Sequence, residues 1–595
     1  MHPLLQPGTV WLDTALSDEE NQQSLLFVQP VHVLQADTAD QVPALLQALD
    51  AAVAAGYYVA GYIAYEAGYA LAPVPLSVPE DTGPLAWFGV YAQPHGLTAE
   101  AAWALLAEAE SYRVQNLRPL LSLTAYRERV EAIRTLIREG EVYQLNFTLP
   151  IFFQFEGDPL ALYRSLRQQQ PVPYGAFLNT GERFVLSFSP ELFFRRCGER
   201  IITRPMKGTM RRSEDPEEDR ALAEALRTDP KNQAENLMIV DLLRNDLSVC
   251  CRPGSVVVPQ LFHVAAYPTL WQMTSTVEGT LRPGVGYAAL FRALFPSGSV
   301  TGAPKLRALQ HLRHLEPSHR GVYCGAIGYA APGGEAVFNV AIRTLELIGS
   351  EGRLGVGSGI VWDSDPEAEY AECLLKSQFL RLAAEPFALI ETMRCTAGAI
   401  PLLEAHLERL RRSAARFGFP LDEAALRARL RQVVQALDPM QSWRLRLTLD
   451  ERGHMRLTST VLEAEAPRPW RLCVAPWRLD AADPLRYHKT TRRADYEAAY
   501  LQARAAGYDE VIFLNTRGEV CEGSRTNIFA QMDGQLYTPP VRCGLLPGVY
   551  RAHVLATRPE AAEKVLTLDD LRRAEALYVC NAVLGWQPAI LCPEA

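Results

Sequence analysis

No stretch of this 595-residue chain keeps to apolar residues for the eighteen or so that a membrane-spanning helix needs. A spanning segment is therefore not expected. Basic residues are never massed. The 59 Lys and Arg stand against 68 Asp and Glu, the net charge is −9, and both signs are spread along the chain. Without a basic run or aromatic-basic interleaving, no nucleic-acid partner is expected. The 11 cysteines include one adjacent pair, Cys250-Cys251, but no Cys-x-x-Cys, so neither a zinc site nor a dithiol centre is indicated. An odd count without a framework reads as reduced thiols in a cytoplasm. The opening Met1 to Pro7 has no basic segment leading into an apolar one, so a secretory leader is not expected. Short-period repeats and low-complexity segments are also missing.

What remains is an ordinary globular composition, 48% apolar and 21% charged. The length alone predicts about three to four domains, though large mixed sheets can run longer as one unit. The clearest boundary is Ala383-Ala384-Glu385-Pro386, where a helix-like run from Ala368 to Leu382 ends in small residues and a proline. The strand-like Phe387-Ala388-Leu389-Ile390 follows. This predicts a first part over 1–383, a linker at 384–386 and a second part over 387–595.

Both parts mix strands and helices without strict alternation, which predicts an α+β class for each. Helices are expected over Tyr126 to Glu139, over Ala234 to Leu247 with Leu237, Val240 and Leu247 on one face, over Ala405 to Phe417 and over Asp495 to Ala506. Strands are expected at Phe184 to Leu186, Ser255 to Val258, Trp443 to Leu449 and Val511 to Leu514.

Lys207, in Thr203-Arg204-Pro205-Met206-Lys207-Gly208-Thr209, is held between a proline turn and a glycine. That is a poor place for an ordinary surface charge. Lysine is also the amine that proteins turn into a nucleophile when burial strips its charge. Elsewhere, Glu369, Glu372 and Lys376 share a helix face, and Glu235 lies on another helix. Glutamates from two helices suit Mg²⁺, although the spacing alone favours a solvated face with ion pairs. The loop Phe295 to Lys305 ends in proline at a helix start, which suits an anion near backbone N–H groups. Gly355-Val356-Gly357-Ser358-Gly359 lacks the spacing of a dinucleotide fingerprint.

Taken together these pieces resemble the chorismate-utilising enzymes: anthranilate synthase and aminodeoxychorismate synthase components I, and the isochorismate and salicylate synthases. The matching stretches run in family order. They are Gly140 to Asn146, Ser189-Pro190-Glu191, Pro205 to Thr209, Ala234 to Leu247, Ser297 to Lys305, Arg320 to Gly325, Ala341 to Thr344 and Gly357 to Lys376. They cover about 120–380, and the segment up to about 115 resembles the family's variable N-terminal part.

The resemblance implies a large fold of two packed sheets with surrounding helices. It implies that Glu235 and Glu372, with Glu369 close by, ligate Mg²⁺. It also implies that Gly208, Thr209, Tyr323, Arg343, Lys376 and the Gly357-Ser358-Gly359 backbone hold chorismate. Isochorismate and salicylate enzymes carry a lysine base where this chain has Gln144. Anthranilate synthases have alanine at the place of Lys207 and histidine at Trp271-Gln272, whereas aminodeoxychorismate synthases have the lysine. The resemblance then makes Lys207 the nucleophile at C2 of chorismate and Glu191 the acid for the departing C4 hydroxyl. A dry site favours a neutral amine and a neutral carboxyl together. Ammonia is expected from a separate glutamine amidotransferase, because neither part shows that enzyme's reactive cysteine and histidine.

The second part carries Lys489 in Arg486 to Thr491, Glu522 in Glu522 to Phe529, Arg409 in His406 to Leu410, and the glycine turn Gly544 to Arg551. A lysine, a carboxylate, an arginine and a glycine turn before a helix are the parts a pyridoxal phosphate site needs. In this order they resemble the class IV aminotransferase fold, over about 387–590, with Glu391-Thr392-Met393-Arg394 at its opening and the first strands truncated. The resemblance implies that Lys489 carries the cofactor, Glu522 holds its ring nitrogen and Arg409 takes its phosphate. Asn527, Gly548, Val549 and Asn581 lie on the phosphate side, and a homodimer through this part is expected.

The fusion favours a lyase that turns 4-amino-4-deoxychorismate into 4-aminobenzoate. The alternative is an anthranilate-type synthase joined to a true aminotransferase.

Overall fold

Strand runs buried on both faces, such as Gln144 to Ile151 on one strand and Val59 to Ile63 on another, can be satisfied only between two layers. The computed structural model describes residues 2–73, 76–79, 82–107, 109–212, 216–266, 270–384, 386–463, 468–481 and 483–592. Two compact units are present, Met1–Glu385 and Pro386–Ala595. Glu385, within the expected linker, lies outside the described residues, as do the last three.

The first unit holds two ten-stranded sheets, antiparallel throughout. One contains the long strands Gln144–Gly157 and Glu351–Ile360, with Phe184–Ser189 further along it. The other contains Tyr58–Ile63, Leu192–Cys197, Met206–Arg211 and Leu270–Thr280. The sheets meet face to face through Val10, Phe27, Leu178 and Val185 of one against Tyr62, Trp87, Tyr91 and Ile327 of the other. The outer face of the first sheet is covered by helices Leu123–Arg138 and Pro159–Gln169, and that of the second by Gln41–Ala54, Pro230–Ser248 and Tyr287–Leu294. Each layer thus buries one face against the opposing sheet and the other against helices.

The second unit holds a three-stranded antiparallel sheet, Leu389–Cys395, Trp443–Leu449 and Met455–Val461, packed on helices Leu403–Phe417 and Glu423–Ala436. An eight-stranded mixed sheet follows, with Glu510–Asn515 parallel to Trp470–Leu479.

Four local expectations are corrected. Leu237 is exposed; the buried face of helix Pro230–Ser248 is Asn236, Ile239, Val240, Leu243 and Leu247, one position around. Ser255 and Val256 precede their strand, which is Val257–Ala266. The run from Ala368 to Leu382 is two helices, Pro366–Lys376 and Gln378–Ala384, broken at Ser377. The strand expected at Phe387 to Ile390 begins at Leu389 and runs on to Cys395.

Candidate functional site

Lys207 owes its position to a one-residue bulge. Met206 pairs with Thr274 and Thr209 with Gln272, so three steps on one strand match two on its neighbour. Gly208 absorbs the extra residue at φ +88°, where a Cβ would also press on the Asn232 side chain at about 3.0 Å. Gln272 pins the bulge from both ends. Its Nε2 donates to the Gly208 carbonyl at 2.9 Å and its Oε1 accepts from Thr209 Oγ1 at 3.1 Å. This is the position where anthranilate synthases were expected to differ.

The Lys207 amine lies 3.0 Å from Glu235 Oε1. That carboxylate also accepts from Gln144 Nε2 at 2.7 Å. Burial works against the Glu235 charge, but Lys207 and Gln144 outweigh it and hold the carboxyl below the usual range. Gln144 Oε1 is buried and has no partner among the described residues.

Glu191 follows the Ser189-Pro190 turn and is buried. Burial pushes its carboxyl up to about 7, opposed by hydrogen bonds from Ser299 and the Met206 N–H and by the Lys207 charge. Amine and carboxyl therefore share one enclosure with Glu235.

The Gly357-Ser358-Gly359 segment pairs with Phe147 and its neighbours on one edge, and beyond Leu354 its other edge has no strand partner among the described residues. Lys376 Nζ takes the Gly357 carbonyl at 2.8 Å and Glu372 at 2.6 Å. A side chain at Gly359 would meet Gln144 Nε2 and lie 3.2 Å from Glu235 Oε1. Glu235, Gly359, Gly357, Lys376 and Glu372 thus form one continuous wall.

Glu369 accepts instead from Ser364 Oγ at 2.7 Å. Among the described residues no group of three or more His, Cys, Asp or Glu is disposed to hold a metal, so the glutamate trio is not a preformed cage. A Mg²⁺ site made of two carboxylates, waters and substrate oxygens needs no such cage, and the oxygen donors present fit it.

Ser358 turns its side chain to Tyr126 at 3.1 Å, leaving only its backbone for a ligand. Tyr323 is buried, and burial pushes its phenol well up. Arg343 sits in the left-handed region at φ +52° and donates to Gln170 Oε1 at 2.7 Å. The Ser297 to Lys305 loop contributes Ser299 to Glu191, while Lys305 pairs with Asp246 at 2.5 Å.

In the second unit, Lys489 is tied to the strand at the opening of that unit: the Ile390 N–H donates to the Lys489 carbonyl at 2.8 Å. Burial brings the amine down to about 7, helped by Arg493 and Arg409 and opposed by Glu391 and Glu522. Burial also lifts the Glu522 carboxyl to about 7, although it accepts from Tyr496 Oη at 2.9 Å and the Leu546 N–H at 3.2 Å.

Asn527 donates to the Leu546 carbonyl at 3.0 Å and packs its carboxamide against Gly548. Gly548 starts helix Val549–Thr557, and no side chain caps it. An uncapped helix N-terminus beside a buried arginine, lysine and carboxylate fits pyridoxal phosphate. Asn581 is spent on structure: it donates to the Arg525 carbonyl and accepts from the Val583 and Leu584 N–H groups.

Sequence reasoning had not given roles to Gln272, Ser299, Gln170, Asn232 or Glu391. Ser299 lies inside a recognised stretch and Asn232 just before another, which is the available signal for those two.

A family described as chorismate binding enzyme matches residues 13–381, and amino-transferase class IV matches 388–592. The chain is 45% identical over 258 residues to aminodeoxychorismate synthase of Streptomyces pristinaespiralis, covering 43% of this chain and 36% of that protein. It is 41% identical over 252 residues to aminodeoxychorismate synthase component 1 of Klebsiella aerogenes, covering 42% and 56%. It is 40% identical over 268 residues to anthranilate synthase component 1 of Methanothermobacter marburgensis, covering 45% and 58%. The chain thus spans between about a third and three fifths of these relatives. Among solved structures, anthranilate synthase component I from Streptococcus pneumoniae superposes with a TM-score of 0.53 at 26% identity, over 61% of this chain and 93% of that one.

Proposed function

The chain belongs to the chorismate-binding enzyme family, and from that premise we propose that it makes 4-aminobenzoate in two steps. The first unit converts chorismate and ammonia to 4-amino-4-deoxychorismate, and the second eliminates pyruvate from that intermediate. The observation that carries this reading is Lys207 on its Gly208 bulge, pinned by Gln272, facing Glu235 and beside the buried Glu191.

In the first step the neutral Lys207 amine adds at C2 of chorismate, and both ring double bonds shift by one position as the C4 hydroxyl leaves. A Glu191 carboxyl near 7 is largely protonated below neutrality and supplies the proton that departs with the hydroxyl as water. Ammonia then adds at C4, both double bonds shift back, and the Lys207 amine is expelled. The orphaned Gln144 Oε1 gives the incoming nitrogen an acceptor. Lys376, Arg343 and the one-sided Gly357 to Gly359 edge meet the substrate carboxylates. Glu235 and Glu372 would hold Mg²⁺, which neutralises carboxylate charge when bound.

Ammonia comes from a separate glutamine amidotransferase in this proposal. Burial pushes the Cys324 thiol up to about 12, so it is no substitute nucleophile.

In the second step Lys489, with its amine near 7, takes the proton from the amine-bearing carbon. Glu522 would hold the ring nitrogen, and Arg409 with the Val549 helix start would hold the phosphate. Pyridoxal phosphate, when bound, withdraws electrons from the carbon that loses the proton.

The test is incubation of the full chain with chorismate, Mg²⁺, ammonia and pyridoxal phosphate, followed by chromatographic identification of the aromatic product. 4-Aminobenzoate supports the proposal. 2-Aminobenzoate would shift the first unit to anthranilate chemistry and leave the second an aminotransferase.

A further inference from the structure

Glu391 lies on strand Leu389–Cys395, and only 2% of its surface is exposed. A carboxylate so buried persists only if its oxygens are fully partnered. Here they are: Arg409 donates Nε to Oε1 at 2.8 Å and Nη2 to Oε2 at 2.7 Å, and His406 Nδ1 meets Oε2 at 2.6 Å. His406 and Arg409 stand three residues apart on helix Leu403–Phe417, so both reach the same carboxylate. Burial alone would raise the Glu391 carboxyl, but Arg409 and His406 hold it down to about 2. His406 Nε2 is buried without a partner among the described residues, so the imidazole holds Glu391 through Nδ1 alone among them.

A guanidinium is a rigid planar fork. With its Nε and Nη2 edge gripped at both ends, its plane is fixed. The remaining nitrogen, Nη1, reaches the Pro547 carbonyl at 3.5 Å, next to Gly548 and the uncapped start of helix Val549–Thr557. Glu391 also cancels the arginine's charge. What Arg409 brings to a phosphate is therefore direction more than net charge, and the helix N-terminus supplies much of the remaining attraction.

We propose that Glu391 is a positioning residue for the cofactor phosphate, acting through Arg409 with His406 as its brace. The inference rests on Arg409 facing the phosphate.

The test titrates full-length apoprotein with pyridoxal 5′-phosphate and, separately, with pyridoxal, which lacks the phosphate. Binding is followed by absorbance. Glu391→Gln should cut the preference for the phosphorylated form about tenfold while affinity for pyridoxal stays within about twofold. In an Arg409→Gln background the same change should have no further effect on that preference. Equal losses for both ligands, or an undiminished effect in the Arg409→Gln background, would make Glu391 a merely structural residue and overturn the inference. An Arg409→Gln protein with unchanged preference would instead remove the phosphate role of Arg409. If Glu391→Gln does not fold, Glu391→Asp, which keeps the charge but draws it back from Arg409, should lower the preference partially; an unchanged preference there overturns the inference.

Discussion

Lys207 Nζ and Glu235 Oε1 stand 3.0 Å apart, on a strand of one sheet and on the helix that covers it. The proposed nucleophile and a proposed metal ligand are thus direct neighbours, and replacing either should be felt by the other.

Lys207→Ala should lower 4-aminobenzoate formation from chorismate and ammonia by about a hundredfold or more, in the range expected for losing a reacting group. Residual product should shift toward the ortho isomer. Chromatography of the aromatic products checks this, and the second unit's cofactor absorbance should be unchanged.

The Glu191 carboxyl is raised to about 7, so its acid form is present below that pH and lost above it. First-step kcat/KM should therefore fall as pH rises through about 7. Glu191→Gln should lose roughly 10²- to 10⁴-fold in rate and abolish that descending limb. A pH–rate profile with free ammonia concentration held constant reads both.

Gly208→Ala places a Cβ at φ +88° and against Asn232. A left-handed alanine costs about 1–2 kcal/mol. The first step should drop steeply while elimination from supplied 4-amino-4-deoxychorismate continues. Parallel assays of the two steps separate this from global unfolding.

Chelating divalent cations should stop the first step and spare the second. Glu235→Gln should weaken Mg²⁺ binding, read calorimetrically in the presence of chorismate.

Lys489→Ala should let 4-amino-4-deoxychorismate accumulate with no 4-aminobenzoate. The protein should also lose its visible cofactor band. Unchanged 4-aminobenzoate output would remove Lys489 from the second step.

Motif order made the first site legible: Lys207, Glu191, Glu235, Tyr323 and Lys376 all stand in stretches recognisable from residues alone. Helix and strand placements were legible where the period was strong, as in Trp443–Leu449, which begins and ends where expected. The face of helix Pro230–Ser248 was not. Leu237 is as apolar as Leu247, and only packing against a particular sheet decides which of them is buried. Glu391 looked like part of an opening motif because its partners, His406 and Arg409, are brought to it by the turn between strand and helix. Gln272 stands out in the sequence as a departure, but its grip on the bulge depends on a register that no single strand encodes.

The bulge at Lys207 and Gly208 fixes a backbone position and leaves the side chain at 207 a free variable. Gln272 holds Gly208 through its carbonyl and Thr209 through its hydroxyl, and neither bond asks what residue 207 is. A lysine or an alanine can occupy the same perch without disturbing the sheet. A scaffold of this kind can take a different residue at 207 without moving the strand that carries it, and the cost of the exchange falls on Glu235, which loses its partner at 3.0 Å.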